Sequence, residues 1–149
     1  MTKLTFFSVA FCAFTSFGYC QVSGGEVSSE QSSAEEQVLL KTSAILAGES
    51  DIPPARVIRD AAALSQSSQD PEVAYCAIAL AALDNGVNAT SYAYPLASMF
   101  FRDPDGIIQL LQRLPEESRP VVVGIIVEGA QSVSGDPSQK ARFLDMLGR

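Results

Sequence analysis

Apolar side chains recur at spacings of three and four residues along most of the chain after residue 34, a period that predicts helices rather than strands. The first apolar stripe predicts a helix over about 35–47, which Gly48 can close. Read together with the flanking Pro residues, the same pattern predicts helices at about 54–66, 90–101, 104–114 and 137–147. Pro95 costs the fourth of the seven helices an interior hydrogen bond, so that helix is kinked or starts there.

The segment with the clearest helix signals lies between Asp70 and Gly86. Asp70 is a capping residue, Pro71 takes the first helical position, and the body to Leu83 is almost entirely apolar. A helix that is apolar all round is normally buried on several sides, and its many Ala residues allow neighbours to approach closely. We therefore expect this third helix at the centre of the fold.

The run from Pro120 to Val127 is ambiguous because its β-branched residues favour a strand. The rest of the chain offers no second strand to pair with it, and a lone strand leaves its backbone groups unsatisfied. We therefore predict a sixth helix over about 120–132.

The helix-opening pair Asp-Pro occurs at residues 70, 103 and 136, so the three openings are 33 residues apart. Equal spacing indicates a repeated helical unit, although Asp-Pro is a common opening that can coincide by chance. The Ala-rich run that follows Asp70-Pro71-Glu72-Val73, the similar segment 57–64, and Asp136-Pro137 with Leu147-Gly148 resemble HEAT-like repeats. This resemblance implies stacked antiparallel helix pairs that act as a protein-binding scaffold, and it implies no catalytic residues. The predicted fold is thus all-α, with about seven short helices in antiparallel pairs, as a HEAT-like α-solenoid or a compact helical bundle.

The first twenty residues differ from the rest of the chain. Lys3 precedes an uncharged apolar run from Leu4 to Phe17, which is typical of a secretory signal peptide and too short for a spanning helix. Cleavage after Gly18 or after Cys20, lipidation of Cys20, and an uncleaved anchor all remain open. Residues 1–20 are predicted as a signal peptide, 21–34 as a disordered Ser-rich linker and 35–149 as one helical domain, in a protein that is exported to a periplasm or secreted. No further segment reaches membrane-spanning length.

The charge balance restricts the function. Seventeen acidic and ten basic residues give a net charge of −7, which repels phosphate backbones, so we expect no nucleic-acid partner. The chain has no His, which removes the usual general base and the commonest metal ligand. Cys76 lies in an Ala-rich helix without an evident base and is interpreted as a core thiol. We therefore predict a non-enzymatic protein with no catalytic residues, cofactor or metal.

Asp103-Pro104-Asp105-Gly106 resembles part of a calcium loop. With Gly106 in the sixth position of such a loop, the first and twelfth would be Phe101 and Gln112, and neither carries the required carboxylate. We interpret the segment as a helix cap.

The fourth predicted helix holds most of the aromatic residues found outside the leader. Exposed aromatic side chains are common anchors of protein interfaces. The candidate partner-binding residues are Tyr92, Tyr94, Met99, Phe100 and Phe101. The alternative for these side chains is that they fill the core beside the third helix. The leading hypothesis is an exported helical-repeat protein that binds a protein partner; the alternative is a small-molecule or lipid carrier with an apolar cavity between the third and fourth helices.

Overall fold

Helices make up the fold in a computed structural model, which describes residues 29–133 and the single positions 138, 141 and 145. The described residues form no strand, and the all-α prediction is confirmed. The helices are α1 (Ser29–Leu46), α2 (Pro54–Leu64), α3 (Pro71–Asp84), α4 (Ala93–Arg102), α5 (Pro104–Gln112) and α6 (Arg119–Val133), with a 3₁₀ turn at Ala89–Ser91 before α4. The predicted signal peptide, residues 21–28, and most of the predicted last helix at 137–147 lie outside the described residues. Within that last helix, residues 138, 141 and 145 are helical.

Two of the three Asp-Pro openings start helices as predicted. Asp70 accepts a hydrogen bond from the backbone N–H of Glu72 at 2.9 Å, and Asp103 accepts one from Gly106 at 3.0 Å. The segment at Asp103 is therefore a helix cap, as interpreted from the sequence. The third opening, at Asp136, lies outside the described residues, and the 33-residue repeat stays a prediction.

Helix α1 begins earlier than its apolar stripe predicts. It starts at Ser29, so the disordered-linker prediction is wrong for residues 29–34. The side chain of Gln31 donates to the backbone oxygen of Ser67 at 3.0 Å and so joins the start of α1 to the loop between α2 and α3. At its other end, α1 closes at Gly48, whose φ of 72° is left-handed, in a Schellman arrangement in which Glu49 N–H donates to Ala44 at 2.8 Å.

Helix α6 confirms the choice of helix over strand for the β-branched run. It covers Arg119–Val133, and Val122 and Ile126, one turn apart, are fully buried. Its most extensive packing is against α4, although α5 lies between them in the chain. Tertiary packing therefore overrides the strand propensity of the Val and Ile residues.

Helix α3 contributes the largest number of fully buried side chains to the core. It packs most extensively against α2, and it also contacts α1, α4, α5 and α6. Its fully buried residues are Val73, Ala77, Ile78, Leu80 and Ala81. The central position predicted for this helix follows from these contacts.

Helices α4 and α6 approach most closely at Gly129. A Cβ atom built on Gly129 would overlap the backbone carbonyl group of Ala93 and lie 3.0 Å from the Cβ of Ala97. A side chain at position 129 would therefore force the two helices apart. Among the described helices, none is both long enough and apolar enough to cross a membrane.

Candidate functional site

The five predicted partner-binding residues do not share one surface. Tyr92, Met99 and Phe100 are at most 2% exposed, so they cannot contact a partner in this conformation. They are buried because α4 packs against α6 and also contacts α2, α3 and α5. For these three side chains the core alternative is correct. Phe101 is partly buried and packs edge-on against Phe100, and Tyr94 is 57% exposed.

The connection between α3 and α4 contains a hydrogen-bond network at residues 84, 88 and 92, in which the contact between Asp84 and Tyr92 is buried. The carboxylate of Asp84 accepts from the Tyr92 hydroxyl at 2.6 Å, from the Asn88 backbone N–H at 2.8 Å and from the Asn88 side chain at 2.9 Å. Asp84 is 9% exposed and Tyr92 is fully buried. The three donors satisfy a carboxylate that would otherwise be expensive to bury.

The pKa values of the network residues reflect these contacts. Burial alone would raise the pKa of Asp84, but the hydrogen bonds from Tyr92 and Asn88 outweigh it, so the pKa lies below its usual value. Burial raises the pKa of the Tyr92 hydroxyl, and the neighbouring Asp84 raises it further. Asp84 is therefore ionised and Tyr92 is a neutral donor at physiological pH.

The backbone between these residues turns sharply. Asn85 and Gly86 follow α3 with φ values of 50° and 79°. Asn and Gly adopt this left-handed region at the lowest cost, which is why the chain can reverse direction immediately after Asp84. The turn brings Asn88 and Tyr92 back to the Asp84 carboxylate.

Three exposed apolar side chains lie close in sequence to the residues of this network, and we call them the α3–α4 surface. They are Leu83, Val87 and Tyr94, with exposed fractions of 51%, 81% and 57%. Each lies one or two residues from a member of the network. Of these three residues, only Tyr94 was predicted from the sequence to bind a partner. The available signal for Val87 was an apolar residue between Gly86 and Asn88, where turn chemistry favours polar residues.

The sequence segment that contains the α3–α4 surface is almost free of charged residues. From residue 73 to residue 101 the sequence has one charged residue, Asp84, and it is buried. The exposed polar residues of the connection, Asn85, Asn88, Thr90 and Ser91, are uncharged. On the neighbouring helix α6, Glu128 is exposed beside the Gly129 that meets Ala93.

Cys76 is buried between helices. Burial raises the pKa of its thiol, and the Thr42 hydroxyl beside it opposes this shift. A buried thiol with a raised pKa is a poor nucleophile. Among the described residues, no three His, Cys, Asp or Glu side chains are grouped so that they could hold a metal ion.

A charged cluster joins the start of α3 to the end of α5. Arg113 donates two hydrogen bonds to the Glu72 carboxylate, at 2.7 and 3.1 Å, and its guanidinium carbon lies 3.9 Å from the centre of the Tyr75 ring. Glu72 raises the pKa of Arg113. Both partners of the ion pair are more than a third exposed, so the cluster is a surface interaction that connects two helices.

Comparison of the chain with protein-family models, curated proteins and solved structures finds no match. The proposal for its function therefore depends on the sequence and the geometry alone.

Proposed function

We propose that this protein is exported and non-enzymatic, and that it binds a protein partner through the α3–α4 surface. The observation that carries the proposal is the hydrogen-bond network of Asp84, Asn88 and Tyr92, together with the exposure of Leu83, Val87 and Tyr94, each one or two residues from a member of that network. A fold gains no stability from exposing an 81% accessible Val, whereas a partner can bury it.

The fixed shape of the connection favours binding. The hydrogen bonds of Asp84 already order this turn, so a partner does not have to order it, and less binding energy is lost. Tyr94 has the aromatic ring and hydroxyl typical of residues that dominate binding energy. Exposed Asn and Ser residues beside it can supply adaptable hydrogen bonds, as in antibody binding loops.

The other parts of the proposal are supported by the sequence. The apolar leader at 1–20 supports export, and the absence of His supports a role without catalysis. The helical-repeat architecture belongs to the same proposal. The carrier alternative has no specific observation in its favour and stays a prediction.

Site-specific cross-linking tests the binding surface. A photoreactive residue is placed at position 87 in the organism that makes the protein, and the cross-linked species is identified by mass spectrometry. Leu40 is the matched control, because it is also an exposed apolar residue, at 64%, but lies on α1 beside Lys41. We expect a specific product from position 87 and none from position 40. Amino-terminal sequencing of the same purified protein tests for removal of the leader.

Affinity measurements with the purified partner then test the interface directly. Val87→Asp places a charge in an apolar contact and should weaken binding by about 10-fold or more, equivalent to about 1.4 kcal/mol. Leu40→Asp should leave the affinity unchanged. Equal affinities for Val87→Asp and the unaltered protein would refute the α3–α4 surface as the binding site.

A further inference from the structure

The turn after α3 contains a residue pair that is open to a spontaneous chemical change. The chain has two Asn residues, Asn85 and Asn88, and only Asn85 precedes a Gly. In an Asn-Gly pair the backbone nitrogen of the Gly can attack the side-chain carbonyl carbon of the Asn, because the Gly has no Cβ atom to hinder the approach. Asn85 is exposed, and a Cβ atom built on Gly86 meets nothing within 4 Å, so water has access to the pair.

The change is a deamidation in which water is the only co-reactant. The Gly86 nitrogen loses its proton and forms a bond to Cγ of Asn85, the Cγ–Nδ2 bond breaks, and Nδ2 leaves as ammonia together with that proton. Water then opens the resulting five-membered succinimide ring at one of its two carbonyl groups. Position 85 becomes aspartate or isoaspartate, and either product adds one negative charge.

The folded turn prevents the ring from closing. Asn85 has a φ of 50° and a ψ of 34°. Because the substituents of Cα are tetrahedral, this ψ places the Gly86 nitrogen nearly opposite the Cβ atom of Asn85 when the residue is viewed along its Cα–C bond. The side chain cannot bring its Cγ to that nitrogen until the Cα–C bond rotates, and this rotation opens the turn.

The hydrogen-bond network at residues 84, 88 and 92 holds the turn closed. The Asp84 carboxylate accepts hydrogen bonds from Asn88 and Tyr92 on the far side of the turn, and the Gly86 backbone N–H interacts with the Tyr92 hydroxyl. The Val87 N–H also donates to the backbone oxygen of Asp84 at 3.1 Å. Opening breaks several of these bonds, and a reaction slower than opening and closing proceeds in proportion to the open population.

We infer that Asn85 is a deamidation site controlled by the network of Asp84, Asn88 and Tyr92, which protects Asn85 while the turn is closed and exposes it to cyclisation when the turn opens. The product does not revert when the turn closes. Its negative charge lies at the C-terminus of α3, where the helix dipole disfavours an anion, and isoaspartate also lengthens the backbone by one methylene group. Deamidation therefore destabilises the closed turn and places a charge two residues from Val87.

Peptide mass spectrometry of the purified full chain tests the inference. The protein is incubated in mildly alkaline buffer and in the same buffer with urea, and we expect deamidation of Asn85 to be about 10-fold or more slower in the folded protein. Tyr92→Phe removes a hydrogen bond to Asp84 and should raise the rate in buffer by about 10-fold. Tyr94→Phe is the matched control, because Tyr94 is exposed and outside the network, and it should leave the rate unchanged.

A second variant, Asn88→Ala, removes one donor to Asp84 without altering a buried side chain, and it should also raise the rate. Circular dichroism checks that each variant is folded, and Asn88→Ala decides the question if Tyr92→Phe does not fold. Three results would overturn the inference: equal rates in buffer and in urea, no deamidation of Asn85 in urea, or folded network variants that react no faster than Tyr94→Phe. These measurements need no partner, so the proposed function and the deamidation site can fail separately.

Discussion

The close approach of α4 and α6 makes one substitution especially informative. Gly129→Ala adds a single methyl group, but that methyl would lie about 1 Å or more inside the ~3.5 Å optimal separation from the Ala93 carbonyl oxygen. A backbone carbonyl cannot rotate away as a flexible side chain can. Helix α4 would have to move as a body, and it packs more extensively on α6 than on any other helix.

The expected loss of stability follows from two opposing effects. Replacing Gly by Ala inside a helix stabilises it by about 1 kcal/mol. Overpacking costs about 1–3 kcal/mol, and we place this site at or beyond the upper end because the obstacle is backbone. The net destabilisation is about 2 kcal/mol, which lowers Tm by about 10 °C in a domain of this size.

Helix α6 provides its own control. Gly124 lies in the same helix, and a Cβ built there meets nothing within 4 Å. Gly124→Ala should therefore show only the helix-propensity gain of about 0.5–1 kcal/mol and a higher Tm. Thermal and urea unfolding, followed by far-UV circular dichroism, measure both variants. If Gly129→Ala is as stable as Gly124→Ala, the described contact between α4 and α6 is refuted.

Three further predictions concern side chains elsewhere. Tyr92→Phe should lower the free energy of unfolding by about 1–3 kcal/mol at neutral pH, because it removes a hydrogen bond to buried, ionised Asp84. The folded-state pKa of Asp84 is lowered, so the stabilisation by ionised Asp84 is present above about pH 4 and is lost as pH falls through that folded pKa. In urea unfolding, the difference in free energy of unfolding between Tyr92→Phe and the unaltered protein should therefore be smaller at low pH. A difference that stays constant with pH would contradict this prediction. Arg113→Lys should lower the free energy of unfolding by about 0.5–1 kcal/mol in the same assay, because Lys cannot bind Glu72 through two parallel hydrogen bonds. An unchanged free energy of unfolding would mean that the ion pair does not stabilise the fold. A thiol reagent should label Cys76 slowly in the folded protein and rapidly in urea, as followed by peptide mass spectrometry, whereas rapid labelling in buffer would contradict its burial.

Local chemistry made several elements predictable from sequence. Asp70 and Asp103 cap the helices that follow them through hydrogen bonds that span two or three residues, so nearby residues suffice to identify these starts. The helical state of α6 was predictable because a strand needs a partner strand and the sequence predicts none. In each case, interactions close in sequence or the absence of any alternative determined the outcome.

Contacts between distant residues were not predictable in the same way. The early first turn of α1 is joined by a hydrogen bond from Gln31 to Ser67, 36 residues away. In the pairing of α4 with α6, Gly129 lies against the backbone of Ala93, and no apolar pattern in the sequence links these two residues. Apolar periodicity shows which face of a helix is buried but not which helix covers it.

The candidate site was only partly predictable because burial of an aromatic residue depends on its polar group. Tyr92 can be fully buried since Asp84, eight residues earlier, accepts its hydrogen bond. Tyr94, two residues later, is exposed. The number of aromatic residues in the segment does not distinguish buried Tyr92 from exposed Tyr94. An acidic residue at the end of the preceding helix indicates that a Tyr nearby can be buried with its hydroxyl hydrogen-bonded.

The pairing of α4 with α6 has a consequence for the order in which the chain assembles. During synthesis, residues 29–112 emerge before α6 does. This stretch includes α1 to α5 but lacks α6, the helix against which α4 packs most extensively. The buried face of α4 that meets Gly129 stays accessible until the residues up to Val133 have emerged. A nascent chain halted before residue 119 therefore exposes Ala93 and Ala97 to water, and the core closes only when its last described helix arrives.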